Sequence, residues 1–210
     1  MTTQWGLIVA AVVAAYILGS LPIGLWVGLL RGLDIRRVGS GNVGATNVYR
    51  ALGTGAALVV FAGDALKGWL PVRMGMAWQA PDALVLGLGL AAIAGHSFSV
   101  FLRFKGGRAV ATALGVLLAL SWQTALGALG VWIVVMATLR IVSLGSILAA
   151  ASVPLFMWRF HGLGPFFYFA STIAALVILR HAPNIRRLAR GEEKPISRLA
   201  DGPPQEPQEP

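Results

Sequence analysis

Across 210 residues the chain is 57% hydrophobic and only 12% charged, with a net charge of +9; soluble domains carry about 25% charged residues. That balance excludes a soluble globule and predicts an all-α, polytopic membrane protein. No cysteine is present, which excludes disulfides and thiolate metal sites, and the basic residues flank apolar runs, which marks membrane topology and not a nucleic-acid surface.

Trp5 to Leu30 is uncharged and long enough for a first span. It lacks a basic leader and a small-residue cleavage site, so it reads as a retained helix and not a signal peptide. The next stretch, Arg36 to Arg50, reads RRVGSGNVGATNVYR and contains no acid. Glycines interleaved with Ser, Asn and Thr let backbone N–H groups converge into an anion-binding nest, and arginine adds a fork that matches phosphate. A phosphate cradle fits this density of donors better than a flexible turn.

Ala51 to Val72 makes a second span interrupted only by Asp64 and Lys67. Three residues apart, they share one helix face and are expected to form a structural ion pair facing the bundle, in preference to a proton relay. A loop is expected over Arg73 to Asp82, then a span from Ala83 to Leu102 that ends in Arg103, Lys105 and Arg108. Ala109 to Leu139 is a run of 31 uncharged residues, about 46 Å as one helix, too long for one span and short for two.

Charge placement resolves the ambiguity. If the run turns back near Ser121 to Thr124, every basic residue except Lys67, Arg73 and Arg159 falls on one side. A single long helix would carry Arg140 and the basic tail across, against the positive-inside rule. With further spans at Ile141 to Trp158 and Leu163 to Leu179, the expectation is about seven transmembrane helices, N-terminus outside and C-terminus cytoplasmic. Residues 1–190 form one membrane-embedded domain in this scheme. Gly191 to Pro210, rich in Pro, Gln and Glu, is expected to be a disordered cytoplasmic tail.

This topology puts Arg36 to Arg50, His96 to Thr112 and Arg180 to Lys194 on one cytoplasmic face. In the second segment, Gly106-Gly107 sit between Lys105 and Arg108 and open into an apolar helix, so their amides are expected to face a second anion. His181 and Asn184, either side of Pro183, are candidates for substrate hydroxyls or phosphate oxygens. Ser143 and Ser146 lie on the same face. His96 reads as a packing residue before a catalyst, and Phe98, Phe101 and Phe104 as lipid-facing or packing side chains. No acid occurs between Asp82 and Glu192, which disfavours a hard-metal site or a carboxylate base there. P-loop and nucleophile-elbow motifs are also absent. What remains is a basic, metal-free site for two phosphorylated molecules at a membrane surface.

GSGNVGATN, the HSF…FKGGR segment and RHAPNIRRLARGEEK together resemble the bacterial membrane glycerol-3-phosphate acyltransferases that use acyl phosphate. The resemblance covers most of the chain. It implies acyl transfer from acyl phosphate to the 1-hydroxyl of glycerol 3-phosphate, giving lysophosphatidate and phosphate, without a cofactor, in the bacterial inner membrane. Ser40, Gly41, Asn42, Gly44, Ala45, Thr46 and Asn47, with Lys105, Gly106 and Gly107, match the acyl-phosphate site. Arg50, Arg108, Ser146, His181 and Asn184 look like the glycerol 3-phosphate contacts. Ser40, Arg50, Arg108, His181 and Asn184 are the implied catalytic set, with His96 a further candidate and no metal ligand. Arg108 and Ala109 stand where the family commonly has lysine and glycine. The implied partners are the two substrates and the lipid bilayer, with no nucleic acid, and nothing in the sequence requires more than a monomer. The rival reading is a small transporter or scramblase for an anionic metabolite or lipid that uses the same basic face. A rival mechanism makes Ser40 a nucleophile assisted by His181 or His96.

Overall fold

The computed structural model describes residues 2–197, and every regular element among them is helical. The first apolar run is not one helix: α1 (Thr2–Ser20) and α2 (Ile23–Leu29) part at Leu21-Pro22. Proline has no N–H and its ring crowds the preceding turn, so nearby carbonyls lose their helical donors. Two side chains from elsewhere replace them. Lys67 Nζ donates to the Leu21 carbonyl at 2.8 Å, and Ser99 Oγ donates to the Ser20 carbonyl at 2.5 Å. A break within an apolar span is tolerated where the freed backbone groups are satisfied again.

After a loop come α3 (Ala45–Leu52) and α4 (Thr54–Ala77). The loop expected from Arg73 starts only at Trp78, because α4 continues through Pro71 and Arg73 to Ala77. Arg73 is exposed and extends over Trp69, 5.9 Å from the ring centre, so its charge reaches the surface without ending the helix. Next, α5 (Asp82–Ser97) runs into a short 3-10 turn at Val100–Leu102.

The long uncharged run divides at Ser121 into α6 (Val110–Leu120) and α7 (Trp122–Thr138), followed by α8 (Val142–His161), α9 (Pro165–Arg180) and α10 (Ala182–Ala189). Ser121 caps α7, its hydroxyl accepting from the Thr124 N–H at 3.4 Å and lying 2.8 Å from His161 Nε2 at the far end of α8. At the opposite end, Ser143 at the start of α8 bonds Glu193, and the Arg140 carbonyl accepts from the Ile196 N–H. Thus α7 starts at the His161 end and finishes at the Glu193 end. Arg108, just before α6, is close enough to Arg187 and Glu193 to feel their charges, so α6 and α7 run in opposite directions.

Small residues bring the helices close. A Cβ at Gly19 would overlap the Ala92 backbone and one at Gly95 the Tyr16 carbonyl, joining α1 to α5. Gly68 and Gly115 do the same between α4 and α6, against the carbonyls of Thr112 and Ala65. Close backbone approach is how helices associate in lipid, where burying apolar surface gives no advantage. Outward-facing Trp5, Leu7, Leu58 and Val59 are exposed and suit contact with acyl chains.

By length and composition, four segments can cross a membrane: Gln4–Leu29, Thr54–Ala77, Asp82–Leu102 and Val142–His161. The α9–α10 pair, bent by 60°, makes a fifth when taken as one span. The helices α6 and α7 are apolar but shorter. The pair expected in the second span is present: Lys67 Nζ is 2.8 Å from Asp64 Oδ1, and both side chains are buried. Of the tail expected from Gly191, residues 198–210 lie outside the described residues.

Candidate active site

The glycine-rich loop is held from below by one side chain. Asn47, 1% exposed on α3, accepts from the Ser40 N–H at 2.9 Å and donates to the Ile35 and Val38 carbonyls at 3.0 Å each. Its amide is therefore spent on the loop's own backbone. Asn47 shapes the cradle from underneath, which corrects its expected place as a direct phosphate ligand. Asn42 Oδ1 accepts from the Gly44 N–H at 2.8 Å, which turns the chain into α3. Gly39 and Gly41 take positive φ values of 57° and 67°, a region glycine enters without steric cost. Buried Ile35, Val48 and Val60 fasten the loop onto α4. The first-turn amides of Ala45 and Thr46 lie at the half-buried start of α3, the end of a helix that suits an anion.

Arg36 is partly engaged within the loop. Its Nε and Nη2 donate to the two Asp34 carboxylate oxygens at 3.0 and 2.8 Å, and this fork holds the Asp34 carboxyl down to about 2. Ser40 and Lys105 are exposed. An open groove of about 650 Å³ passes Arg36, Gly41, Val43, Phe101, Leu102, Arg103 and Lys105.

The second cluster assembles from four distant places. Arg50 from α3, and Arg180 and Arg187 from α9 and α10, each lie within electrostatic reach of Arg108, just before α6, as does Glu193. Burial pushes the Arg108 guanidinium below its ordinary value, and the like charges of Arg187, Arg50 and Arg180 push it further, against the pull of Glu193. Glu193 Oε1 accepts from Ser143 at 2.6 Å and from Asn184 Nδ2 at 2.7 Å, and Oε2 accepts from Arg187 at 2.6 Å. Burial opposes the charged carboxylate, but these three donors outweigh it and hold the Glu193 pKa low.

His181, 1% exposed, stands at the bend between α9 and α10, with Nδ1 2.8 Å from the Val177 carbonyl. A carbonyl only accepts, so Nδ1 carries the proton and Nε2 is left as an acceptor. Burial lowers the imidazole pKa to about 4, which keeps the ring neutral at physiological pH. Asn184 Oδ1 is buried and has no protein partner among the described residues. Ser146, one turn beyond Ser143 on α8, is buried and donates back to the Val142 carbonyl at 2.8 Å.

One expectation changes here. The Gly106 and Gly107 amides do not face an anion: they donate to the Ser97 carbonyl at 3.2 Å and the His96 carbonyl at 3.0 Å. Their glycine identity serves packing instead, since a Cβ at Gly106 would overlap the His96 carbonyl and one at Gly107 the His96 ring. His96 itself is buried behind that segment, with Nδ1 3.6 Å from Asp64 Oδ1, beside a cavity of about 10 Å³ lined also by Lys67 and Ser99. Three residues outside the expected set lie in this cluster: Arg180, Arg187 and Glu193. Among the described residues no group of three His, Cys, Asp or Glu is placed to hold a metal ion.

Residues 9–191 match the family described as Glycerol-3-phosphate acyltransferase. The chain is 49% identical over 183 residues to the glycerol-3-phosphate acyltransferase of Trichlorobacter lovleyi, covering 87% of this chain and 94% of that one. It is 48% identical to the Geobacter sulfurreducens protein of the same name, over 85% of this chain and 92% of the relative. Among solved structures it is similar to PlsY (YgiH), described as an integral membrane glycerol 3-phosphate acyltransferase. The glycerol 3-phosphate form superposes with a TM-score of 0.87 at 42% identity, covering 90% of this chain and 96% of PlsY. The lysophosphatidic acid form gives 0.85 at 41% identity, with 91% and 96% covered.

Proposed function

The chain belongs to the glycerol-3-phosphate acyltransferase family, and from that membership we propose that acyl phosphate is its donor and that the basic cluster receives glycerol 3-phosphate. It is an integral membrane acyltransferase that converts glycerol 3-phosphate to lysophosphatidate. The observation that carries the site assignment is the meeting of Arg50, Arg108, His181 and Asn184, from three separate segments, around a cationic centre. Arg50 and Arg108 offer planar forks to the acceptor's phosphate. The unpartnered Asn184 Oδ1 and the His181 Nε2 are acceptors suited to glycerol hydroxyls.

Ser40, Gly41, Asn42, Gly44 and the Ala45 and Thr46 amides hold the acyl phosphate head in this proposal, with exposed Lys105 adding positive potential. The acceptor's 1-hydroxyl oxygen attacks the acyl carbon, a new ester C–O bond forms, and the bond to the phosphate oxygen breaks. The hydroxyl proton leaves on the departing phosphate. Acyl phosphate is already an activated anhydride, so the protein needs to supply position and charge stabilisation and not a strong base. About seven spans, the N-terminus outside and a cytoplasmic site in the bacterial inner membrane complete the proposal, supported by the charge distribution and by the reversal at Ser121.

The test uses purified protein in detergent with acyl phosphate and glycerol 3-phosphate. Phosphate release that needs both substrates and yields labelled lysophosphatidate is the expected result. Inactivity there, with uptake of glycerol 3-phosphate into vesicles, overturns the assignment in favour of transport. Intersecting double-reciprocal plots with no label left on the protein support direct transfer, whereas parallel lines and a trapped acyl-enzyme would establish Ser40 as a nucleophile.

A further inference from the structure

We propose that Arg180 is a positioning residue that locks the Gly106-Gly107 segment, and with it Arg108, in register with His181. The inference rests on the assignment of Arg108 and His181 to the glycerol 3-phosphate site. Arg180 Nη2 donates to the Gly106 carbonyl at 2.9 Å and Nε donates to the Gly107 carbonyl at 3.2 Å. On the opposite edge, the N–H groups of the same two glycines donate to Ser97 and His96 at the end of α5. The dipeptide is thus gripped on both edges, by α5 on one side and α9 on the other. Arg108 leaves directly from the gripped segment.

The grip needs a fork and not merely a charge. One planar guanidinium reaches two successive carbonyls, whereas a lysine ammonium is a point donor on a flexible stem. Phe98 supports the plane, with the Arg180 guanidinium carbon 5.2 Å from the ring centre. Two of the donors of Arg180 are committed to protein carbonyls, so its contribution to the anion is indirect. Because His181 follows Arg180 in the chain, the same fork fixes the distance between a phosphate ligand on one segment and a hydroxyl acceptor on another. Neither segment is otherwise tied to the other by a side-chain hydrogen bond among those described.

The experiment compares Arg180→Met and Arg180→Lys with the wild type, using acyl phosphate and glycerol 3-phosphate, and follows hydrogen exchange over residues 103–112. A misplaced ligand costs about 10- to 100-fold in kcat/KM for glycerol 3-phosphate. The KM for acyl phosphate, which Lys105 on the same segment serves only at a distance, should change less than that for glycerol 3-phosphate, and exchange over the segment should rise. Arg180→Lys keeps the charge without the fork, so it should recover only part of the loss. Full recovery by lysine overturns the proposal, since charge alone would then suffice. Unchanged exchange and kinetics in Arg180→Met overturn it as well. If Arg180→Met does not fold, Phe98→Ala decides: it removes no charge, and it should raise both exchange and the glycerol 3-phosphate KM, while no change in either sinks the idea. If the wild type forms no lysophosphatidate, the substrate assignment fails, and exchange alone still decides whether Arg180 grips the segment.

Discussion

Replacing Lys67 by Met strands Asp64, a carboxylate only 3% exposed that sits 2.8 Å from the lysine ammonium. Removing one partner of a buried pair costs about 3–5 kcal/mol, because the other charge stays buried and uncompensated. The Leu21 carbonyl also loses its donor, adding about 1 kcal/mol. The sum, about 4–6 kcal/mol, corresponds to a fall of about 10–20 °C in Tm for a chain of this size. The double variant Asp64→Leu/Lys67→Met removes both charges, so the one hydrogen bond lost with the pair is that to the Leu21 carbonyl, and the fall shrinks to about 2–4 °C. Thermal unfolding of the four proteins in detergent, each assayed for acylation before heating, measures the cycle. A double variant as unstable as the single ones refutes the pairing argument. A double variant that melts like the wild type yet loses acylation refutes the structural role, because the charges would then take part in turnover or in a polar path through the bilayer.

Arg50→Ala should raise the glycerol 3-phosphate KM at least about tenfold, the scale of a lost charged hydrogen bond, or abolish activity while the protein still inserts; near-normal kinetics would remove Arg50 from the site. Arg108→Lys should remain active at neutral pH but gain an alkaline fall in kcat/KM that the wild type lacks. Burial and the charges of Arg187, Arg50 and Arg180 depress a cation at this position, and a lysine there loses its charge as pH rises where arginine keeps it. A pH profile identical to that of the wild type contradicts this. His181 gives the opposite sign: its folded pKa of about 4 lies below the ordinary 6.5, so between those values the unfolded chain binds a proton that the folded chain does not. Stability should therefore fall by up to about 3 kcal/mol as pH drops through that window. His181→Gln should flatten the slope in a denaturation series, and an unaltered slope would assign it to other groups.

Much of this was legible because charge in a membrane chain is costly to misplace. The reversal at Ser121 followed from where Arg140 and the C-terminal cations had to lie, and the Asp64–Lys67 pair from their spacing on one helix face. The break at Pro22 was hidden, because the donors that make it tolerable, Lys67 and Ser99, are remote in sequence. Composition pointed to Arg36 to Arg50 as a polar loop but not to which donors were already engaged. Asn47 turns inward to the loop's own carbonyls, Arg36 pairs with Asp34 at the surface, and the Gly106 and Gly107 amides are taken by α5. Free and occupied amides look the same in a sequence. Glu193 was obscured by its surroundings: it lies in a stretch whose Pro and Gln content resembles disorder, although the Glu192-Glu193 pair just after Arg180, Arg186, Arg187 and Arg190 was a signal of complementarity.

Glu193 also imposes an order on biogenesis. It lies beyond the last helix among the described residues, yet it is the acceptor that joins Ser143, Asn184 and Arg187. Translation runs from the N-terminus, so the glycine-rich loop before α3 and every helix of the bundle are synthesised before this carboxylate. A nascent chain halted at residue 190 would lack the acceptor that joins Ser143, Asn184 and Arg187. Ser143, Asn184 and Arg187 are thus joined only late in synthesis, and a trim that removes residue 193 should release all three although it touches no span.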